Sequence, residues 1–210
     1  MSEKGVNMLS YLKKDIMFSK LWLLVSLVWG IVCGFVFLKE GGSFIFVDFL
    51  LPLFVMYFPL SRLMHLEDPR DTRDFLKRMP QSKYGRVTAR IIFVFALLIY
   101  ATALKIGFKY LLIEGYSITS GMNLQKELFY FFVFLFLNLT ALILFYRFSF
   151  QIAQNFTLAS YAAVFCVAVL NKYTEYKISF PQVNALTVII PGILIGVVLV
   201  FLALKAEQVS

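Results

Sequence analysis

The feature of this sequence that most restricts its fold is a set of long apolar runs that contain almost no charge. The first run, Leu21 to Leu38, has 18 consecutive uncharged residues. A helix needs about 20 mostly apolar residues to cross the hydrocarbon core of a bilayer. A secretory signal peptide would instead have an apolar region of about 7–15 residues followed by a small-residue cleavage site. Because Lys39 and Glu40 follow here, we expect an uncleaved membrane span.

The composition favours several spans and leaves little room for a separate soluble domain. Hydrophobic residues make up 60% of the 210 residues, whereas only 15% are charged. Ordinary soluble chains reach roughly 45–50% apolar residues. This excess is enough for about six spans. We therefore predict an all-α integral membrane protein that forms one six-span domain over residues 1–210. The predicted spans are 21–38, 44–60, 88–112, 128–145, 156–170 and 185–204.

The distribution of Lys and Arg predicts which way the chain crosses the membrane. With six spans, the side that contains both termini carries 14 of the 20 basic residues, and the opposite side carries 6. Cytoplasmic loops retain positive charge, so both termini are predicted to be cytoplasmic in the cell membrane. This asymmetry and attraction to anionic lipid account for the net charge of +8, and no nucleic-acid partner is predicted.

The N-terminal segment 8–20 has the pattern of an amphipathic helix. Apolar residues recur at helical spacing, and the lysines fall largely on another face. Such a helix lies at the headgroup level with its apolar stripe toward the lipid. The alternative is a positively charged flank of the first span. The residues assigned to this interfacial helix are Leu9, Leu12, Lys13, Lys14 and Ile16.

The stretch from Ser61 to Arg90 is the most charged part of the chain, with eight basic and four acidic residues. We predict a short helix over 68–79, because Asp68 suits an N-cap, Pro69 suits the first helical position and Pro80 ends the element. Its charges would keep it in water, and an apolar pair on one face would contact a partner. A solvated helix with no partner is the alternative. The residues assigned to it are Asp68, Arg70, Asp71, Arg73, Asp74, Phe75, Lys77, Arg78 and Met79.

Several kinds of chemistry are not expected in this chain. No stretch matches the phosphate-binding pattern G-x-x-x-x-G-K-[ST], so ATP hydrolysis would require another protein. The single histidine, His65, lies outside the predicted spans, which argues against an intramembrane metalloprotease or a Ser-His hydrolase. We therefore predict no catalytic residues, no metal site and no cofactor in this chain.

A few polar residues fall inside the predicted spans, where they are costly and are candidates for function. Asn138 and Thr140 lie in the fourth span, and Lys105 lies near the end of the third. They could line a pathway or join neighbouring helices, since an amide can hydrogen-bond across a helix contact. Both interpretations stay open at this point.

Two motifs resemble those of a known family. The segment Leu9 to Ile16, L-S-Y-L-K-K-D-I, is similar to the Leu-x-x-Leu-Lys-Lys-Asp start of the interface helix in type-2 permeases of ABC transporters. The segment Phe75 to Arg90, F-L-K-R-M-P-Q-S-K-Y-G-R-V-T-A-R, resembles their Leu-Pro-x-Ser-Arg/Lys and Val-x-Ala-Arg passage between the second and third spans. Met79 stands where Leu is usual, and Lys83 stands where Arg is common. The layout resembles the short, six-span bacterial form that lacks a fused ATPase.

The resemblance implies a permease subunit of an ATP-driven exporter. Residues 67–79 would be the coupling element that contacts a cytoplasmic ABC ATPase, and ATP and Mg would bind on that partner. Residues 171–183 would be a re-entrant segment. A second permease subunit, identical or related, would complete the pathway for a hydrophobic or amphipathic substrate, with a peptide favoured over a lipid-like molecule or drug. The main alternative is a non-transporting scaffold or immunity protein that binds a partner through helix 68–79, and an intramembrane enzyme ranks third.

Overall fold

The computed structural model describes residues 8–39, 49–68, 85–112, 124–173 and 185–209. In these ranges the chain is all-α, as predicted. Its six helices are α1 (Met8–Lys39), α2 (Leu51–Glu67), α3 (Gly85–Leu112), α4 (Leu124–Arg147), α5 (Phe150–Tyr173) and α6 (Ala185–Val209).

Four of these helices, α1, α3, α4 and α6, are long and apolar enough to cross a membrane, judged by length and composition. They indicate a multi-pass membrane protein. The other two, α2 and α5, are not among them. The first two turns of α5 carry the polar residues Gln151, Gln154, Asn155 and Thr157, which lower its apolar content. The total of six spans therefore stays a prediction.

The N-terminal segment is not a separate element. Residues 8–20, predicted as an interfacial helix, continue without a break into the first predicted span, and α1 is a single helix of 32 residues. No Pro or Gly interrupts the segment before Gly30. The charged residues Lys13, Lys14 and Asp15 do not interrupt α1, and Asp15 is paired with Arg90 inside the protein.

Helix α2 extends further than predicted. The predicted span ended at residue 60, whereas the helix continues to Glu67, and residues 44–48 lie outside the described ranges. The extension is stabilised by burial of Leu60, Leu63, Met64 and Glu67, which recur at helical spacing. Helices α3 to α6 contain the four remaining predicted spans and extend beyond them by up to six residues.

The helices pack as two groups of three. Helix α1 packs against α2 and α3, while α4 packs against α6 and α5, with fewer contacts between the groups. The core is apolar and includes Val55, Val94, Leu139 and Leu142, all fully buried. The outer faces of α1 and α6 are also apolar, and Leu194 is 62% exposed. Exposed apolar faces of this kind suit contact with lipid.

Candidate functional site

The most conspicuous polar feature is a buried ion network formed by α1, α2 and α3. Arg90 donates from Nε to Asp15 Oδ2 at 3.0 Å and from Nη2 to Glu67 Oε1 at 2.9 Å. Lys14 Nζ donates to the same Glu67 oxygen at 2.8 Å. Arg90 is 1% exposed, Asp15 2% and Glu67 5%. We call these four residues the ion network, and the end of the bundle where they lie the network end.

The ion network balances two cations against two carboxylates. A buried charge is tolerated only when it is paired and hydrogen-bonded, so each member depends on the others. Burial alone would raise the pKa of the Glu67 carboxyl, but the charges of Arg90 and Lys14 outweigh burial and hold that pKa below its ordinary value. Glu67 is therefore ionised at neutral pH and attracts Arg90 strongly.

Helical spacing explains how α1 presents its part of the ion network. Tyr11, Asp15 and Ser19 lie four residues apart, so they share one face, and all three are buried. The Ser19 hydroxyl donates to the backbone carbonyl of Asp15 at 2.6 Å, which satisfies that hydroxyl within the helix. Leu9 and Ile16 lie outside this face and are exposed.

The ion network joins the two ends of the connection between α2 and α3. Glu67 is the last residue of α2, and Arg90 is the sixth residue of α3, so the ion pair joins the two helices that precede and follow residues 69–84. Asp68 follows directly, and its Oδ1 accepts a hydrogen bond from the backbone N–H of Phe150 at 3.2 Å, at the start of α5. The end of α2 and the start of α3 are thereby attached to α1 and to α5.

Another cross-helix contact strengthens the network end. The Arg86 guanidinium lies 5.5 Å from the ring centre of Tyr146, so α3 contacts the last turn of α4 there. A cation over an aromatic face is attracted by the ring quadrupole. The network end thus links α1, α2, α3, α4 and α5 through polar contacts.

A second buried charge cluster lies at the opposite end of the bundle. Lys105 Nζ and Lys109 Nζ both donate to the carboxylate of Glu127, the latter at 3.2 Å. Lys105 is 3% exposed and also lies 5.5 Å from the ring centre of Tyr130. Lys105 and Lys109 are one turn apart on α3, and Glu127 is in the first turn of α4. We call these three residues the Glu127 cluster.

The spacing of the two charge clusters matches a membrane. Arg90 and Lys105 are 15 residues apart on α3, which corresponds to about 22 Å at about 1.5 Å per residue. The intervening residues 91–104 contain no charge. A hydrocarbon core is about 30 Å thick, so an α3 helix that crosses it would place each cluster near one interface. Arg90 and Lys105 are each paired with a carboxylate on another helix, so α3 carries both charges inside the bundle.

Asn138 on α4 makes polar contacts with neighbouring helices in the region between the two clusters. Its Nδ2 donates to the Tyr161 hydroxyl on α5 at 2.8 Å and to the Phe134 carbonyl at 2.7 Å. The same nitrogen lies 3.6 Å from the sulfur of Met56 on α2. Asn138 is 0% exposed and Tyr161 is 3% exposed. Asn138 therefore joins three helices at the middle of the bundle.

A narrow cleft lies beside Asn138, between α2, α4 and α5. Its free volume is about 10 Å³, and most of the side chains around it are polar. Gln154 Nε2 donates to the Tyr57 hydroxyl at 3.1 Å, and the Thr157 hydroxyl donates to the Ala153 carbonyl at 2.7 Å. The lining residues are Tyr57, Leu60, Ser61, Met64, Asn138, Phe150, Gln154 and Thr157.

The predicted site residues fall into separate places. Asn138 and Lys105 both contact neighbouring helices, whereas Thr140 is only half-buried. Lys13 is exposed, Leu12 is half-buried and Lys14 belongs to the ion network.

The predicted coupling residues after Asp68 lie outside the described ranges. Residues 174–183 of the predicted re-entrant segment also lie outside them, whereas its first three residues, 171–173, continue α5.

Asp68 has a different local role from the one predicted. It is the C-cap of α2, with φ −71° and ψ −34°, and its carboxylate bonds to the start of α5. An N-cap residue usually has extended backbone angles instead. The helix that it was expected to begin lies outside the described residues and stays a prediction.

Several residues of these clusters were not singled out from the sequence. Glu127 and Tyr161 belong to no motif, whereas Asp15 and Arg90 entered only as members of the two family motifs. The available signal was an acidic residue in or beside an apolar run, as at Asp15 and Glu127.

Among the described residues, no three metal-ligating side chains come together. No protein-family model, curated protein or solved structure matches this chain.

Proposed function

We propose that this chain is the membrane-spanning permease subunit of an ATP-driven ABC exporter. Two such subunits, identical or related, would enclose the pathway, and separate cytoplasmic ATPases would bind and hydrolyse ATP with Mg. The proposal includes six spans in the cytoplasmic membrane, with both termini and residues 61–90 on the cytoplasmic side. The motif resemblance is its starting point.

The observation that carries the proposal is the position of the ion network. A coupling segment works as a lever only if its base is rigid, because a flexible base would absorb the movement of the ATPase. Glu67 and Arg90 bracket residues 68–84 and are joined at 2.9 Å inside the protein. Asp15 and Lys14 extend that junction to α1. Movement of the segment would therefore be passed to α1, α2 and α3 together.

The structure also offers a reason to expect dependence on an ATPase. The charged groups of the ion network and of the Glu127 cluster are paired within the bundle. About 22 Å of apolar α3 separates them. Such an arrangement stabilises helix packing and does not resemble a chain of titratable groups for proton-coupled transport. The energy for transport would then come from the partner, through rocking of the helix bundles.

The proposed cargo is hydrophobic or amphipathic, with a peptide favoured. Pathways for such cargo are lined mostly by apolar and aromatic side chains with few charges. Aromatic residues make up 18% of the chain, and on α4 Phe129 is exposed and Phe131 is half-buried. Export is favoured over import because the family resemblance points that way.

The test is reconstitution. The full chain would be placed in liposomes with and without an ATPase that co-purifies with it in mild detergent. The proposal requires ATP-dependent movement of an amphipathic peptide only when both proteins are present. Transport by the isolated chain on an ion gradient would overturn it in favour of a secondary carrier. Failure to retain any ATPase, together with stable binding of another protein, would favour the scaffold or immunity alternative.

A further inference from the structure

One acceptor atom at the centre of the bundle lacks a protein partner. Asn138 Oδ1 is buried and has no hydrogen-bond partner among the described residues. The orientation of the amide is determined by its other end, because the atom 2.7 Å from the Phe134 carbonyl oxygen must be the donating nitrogen. A buried amide oxygen without a donor is a cost to the folded state, because it has lost its hydrogen bonds to water. A ligand that donates a hydrogen bond would remove this cost.

The cleft between α2, α4 and α5 gives that ligand a place. Asn138 lines it, together with Tyr57, Ser61, Gln154 and Thr157, which carry hydroxyl or amide groups. The Thr157 proton is already donated to the Ala153 carbonyl, so its hydroxyl oxygen can still accept. A buried water typically makes about three hydrogen bonds, and this lining supplies acceptors and donors for them.

The size of the cleft selects the ligand. Its free volume is about 10 Å³, close to the lower limit of roughly 10–15 Å³ for one water molecule. A peptide group or a sugar hydroxyl with its attached carbon would not fit without movement of the helices. We infer that Asn138 Oδ1 binds one ordered water molecule in this cleft, and that the water links α2, α4 and α5.

The water site lies between the two helix groups, because α2 belongs to one group and α4 and α5 belong to the other. In this region α2 is joined to α5 by the Tyr57–Gln154 hydrogen bond at 3.1 Å. A bound water can exchange partners as the helices move, so Oδ1 stays hydrogen-bonded when α2 shifts. The site does not depend on the proposed transport function.

The direct test is a structure of the full chain in lipid nanodiscs, at a resolution that shows buried waters. We expect density about 2.5–3.0 Å from Asn138 Oδ1, the distance of an O–H···O hydrogen bond. Absence of density there, while other buried waters are visible, would overturn the inference. So would a rotated amide whose oxygen accepts from a protein donor.

Radiolytic footprinting provides an independent measurement. Hydroxyl radicals generated from a bound water label neighbouring side chains, so Met64, which is only 3% exposed, should be labelled in the wild type. Asn138→Leu keeps the number and branching of the side-chain heavy atoms and removes the acceptor, and labelling should fall several-fold. Asn155→Leu is the matched control, because Asn155 is exposed on α5 and does not line the cleft. An unlabelled Met64 in the wild type would contradict the inference, whether or not the variants fold.

Discussion

Arg90 on α3 donates to Asp15 on α1 at 3.0 Å, across 75 residues of sequence. Both side chains are almost fully buried, and Arg90 also binds Glu67 on α2. The pair thus attaches the start of the chain to the helix that follows the charged segment. Its energetic role can be measured directly.

Replacing Arg90 with Leu should lower the free energy of unfolding by about 3–5 kcal/mol, because removing one partner leaves buried carboxylates uncompensated. Arg62→Leu is the control, since Arg62 is an exposed arginine near the same end of the bundle. That change should stay within about 0.5 kcal/mol. Thermal unfolding of the purified chain in detergent is the measurement, and equal shifts in the two variants would contradict the structural role of the ion network.

Glu127→Gln should destabilise the chain on the order of 3 kcal/mol, because two buried ammonium groups would lose their shared carboxylate. A double-mutant cycle with Lys105→Met is the measurement. Residues in direct contact show coupling of about 0.5–3 kcal/mol. Strictly additive effects would mean that the two side chains do not interact in the folded protein.

Gly192→Ala should destabilise the packing of α6 on α4. A Cβ at this position would lie 2.8 Å from atoms of the Phe132 ring. Overpacking of this kind costs about 1–3 kcal/mol. Gly196→Ala is the matched control one turn further along, where the nearest atom, on Phe136, would be 3.9 Å away. It should be neutral or stabilising by up to about 1 kcal/mol, since Ala favours helix. The expected order of melting temperatures is Gly196→Ala above Gly192→Ala.

The proposed orientation predicts which introduced cysteines a membrane-impermeant reagent reaches in intact cells. In a background without Cys33 and Cys166, Ser117→Cys between the third and fourth predicted spans should be labelled. Ser2→Cys and Ser82→Cys should be protected until the membrane is opened, because both lie on the side with 14 of the 20 basic residues. Strong labelling of Ser2→Cys or Ser82→Cys in intact cells would contradict the predicted topology.

Phe75→Ala should weaken association with the ATPase by on the order of 2 kcal/mol if this ring is a buried anchor of the interface. The chain should remain in the membrane, because Phe75 lies outside the predicted spans. Phe148→Ala is the control, since Phe148 is 53% exposed and follows α4 at the network end. Co-purification of the ATPase and stimulated ATP hydrolysis are the measurements. Unchanged values for Phe75→Ala would refute the coupling role.

The local pattern of apolar residues along the sequence was enough to predict that the helices exist. Apolar runs of about 20 residues form helices in lipid because every backbone polar group must be satisfied within the segment. The predicted third to sixth spans accordingly lie within α3 to α6. The ends were less predictable, as α2 shows, because its last turn buries Glu67, which is paired with Arg90 and Lys14 on other helices.

The sequence by itself therefore determined an all-α chain with long apolar helices, and the spacing of its charges along each of them. Only the tertiary structure decided which charges are inside. Lys13 and Asp15 are two residues apart, yet Lys13 is exposed and Asp15 is buried against Arg90. Burial of a charge is decided by a partner on another helix, because pairing offsets the cost of removing it from water. The same reason places Lys105 beside Glu127 and Asn138 beside Tyr161, contacts between helices that no local pattern contains.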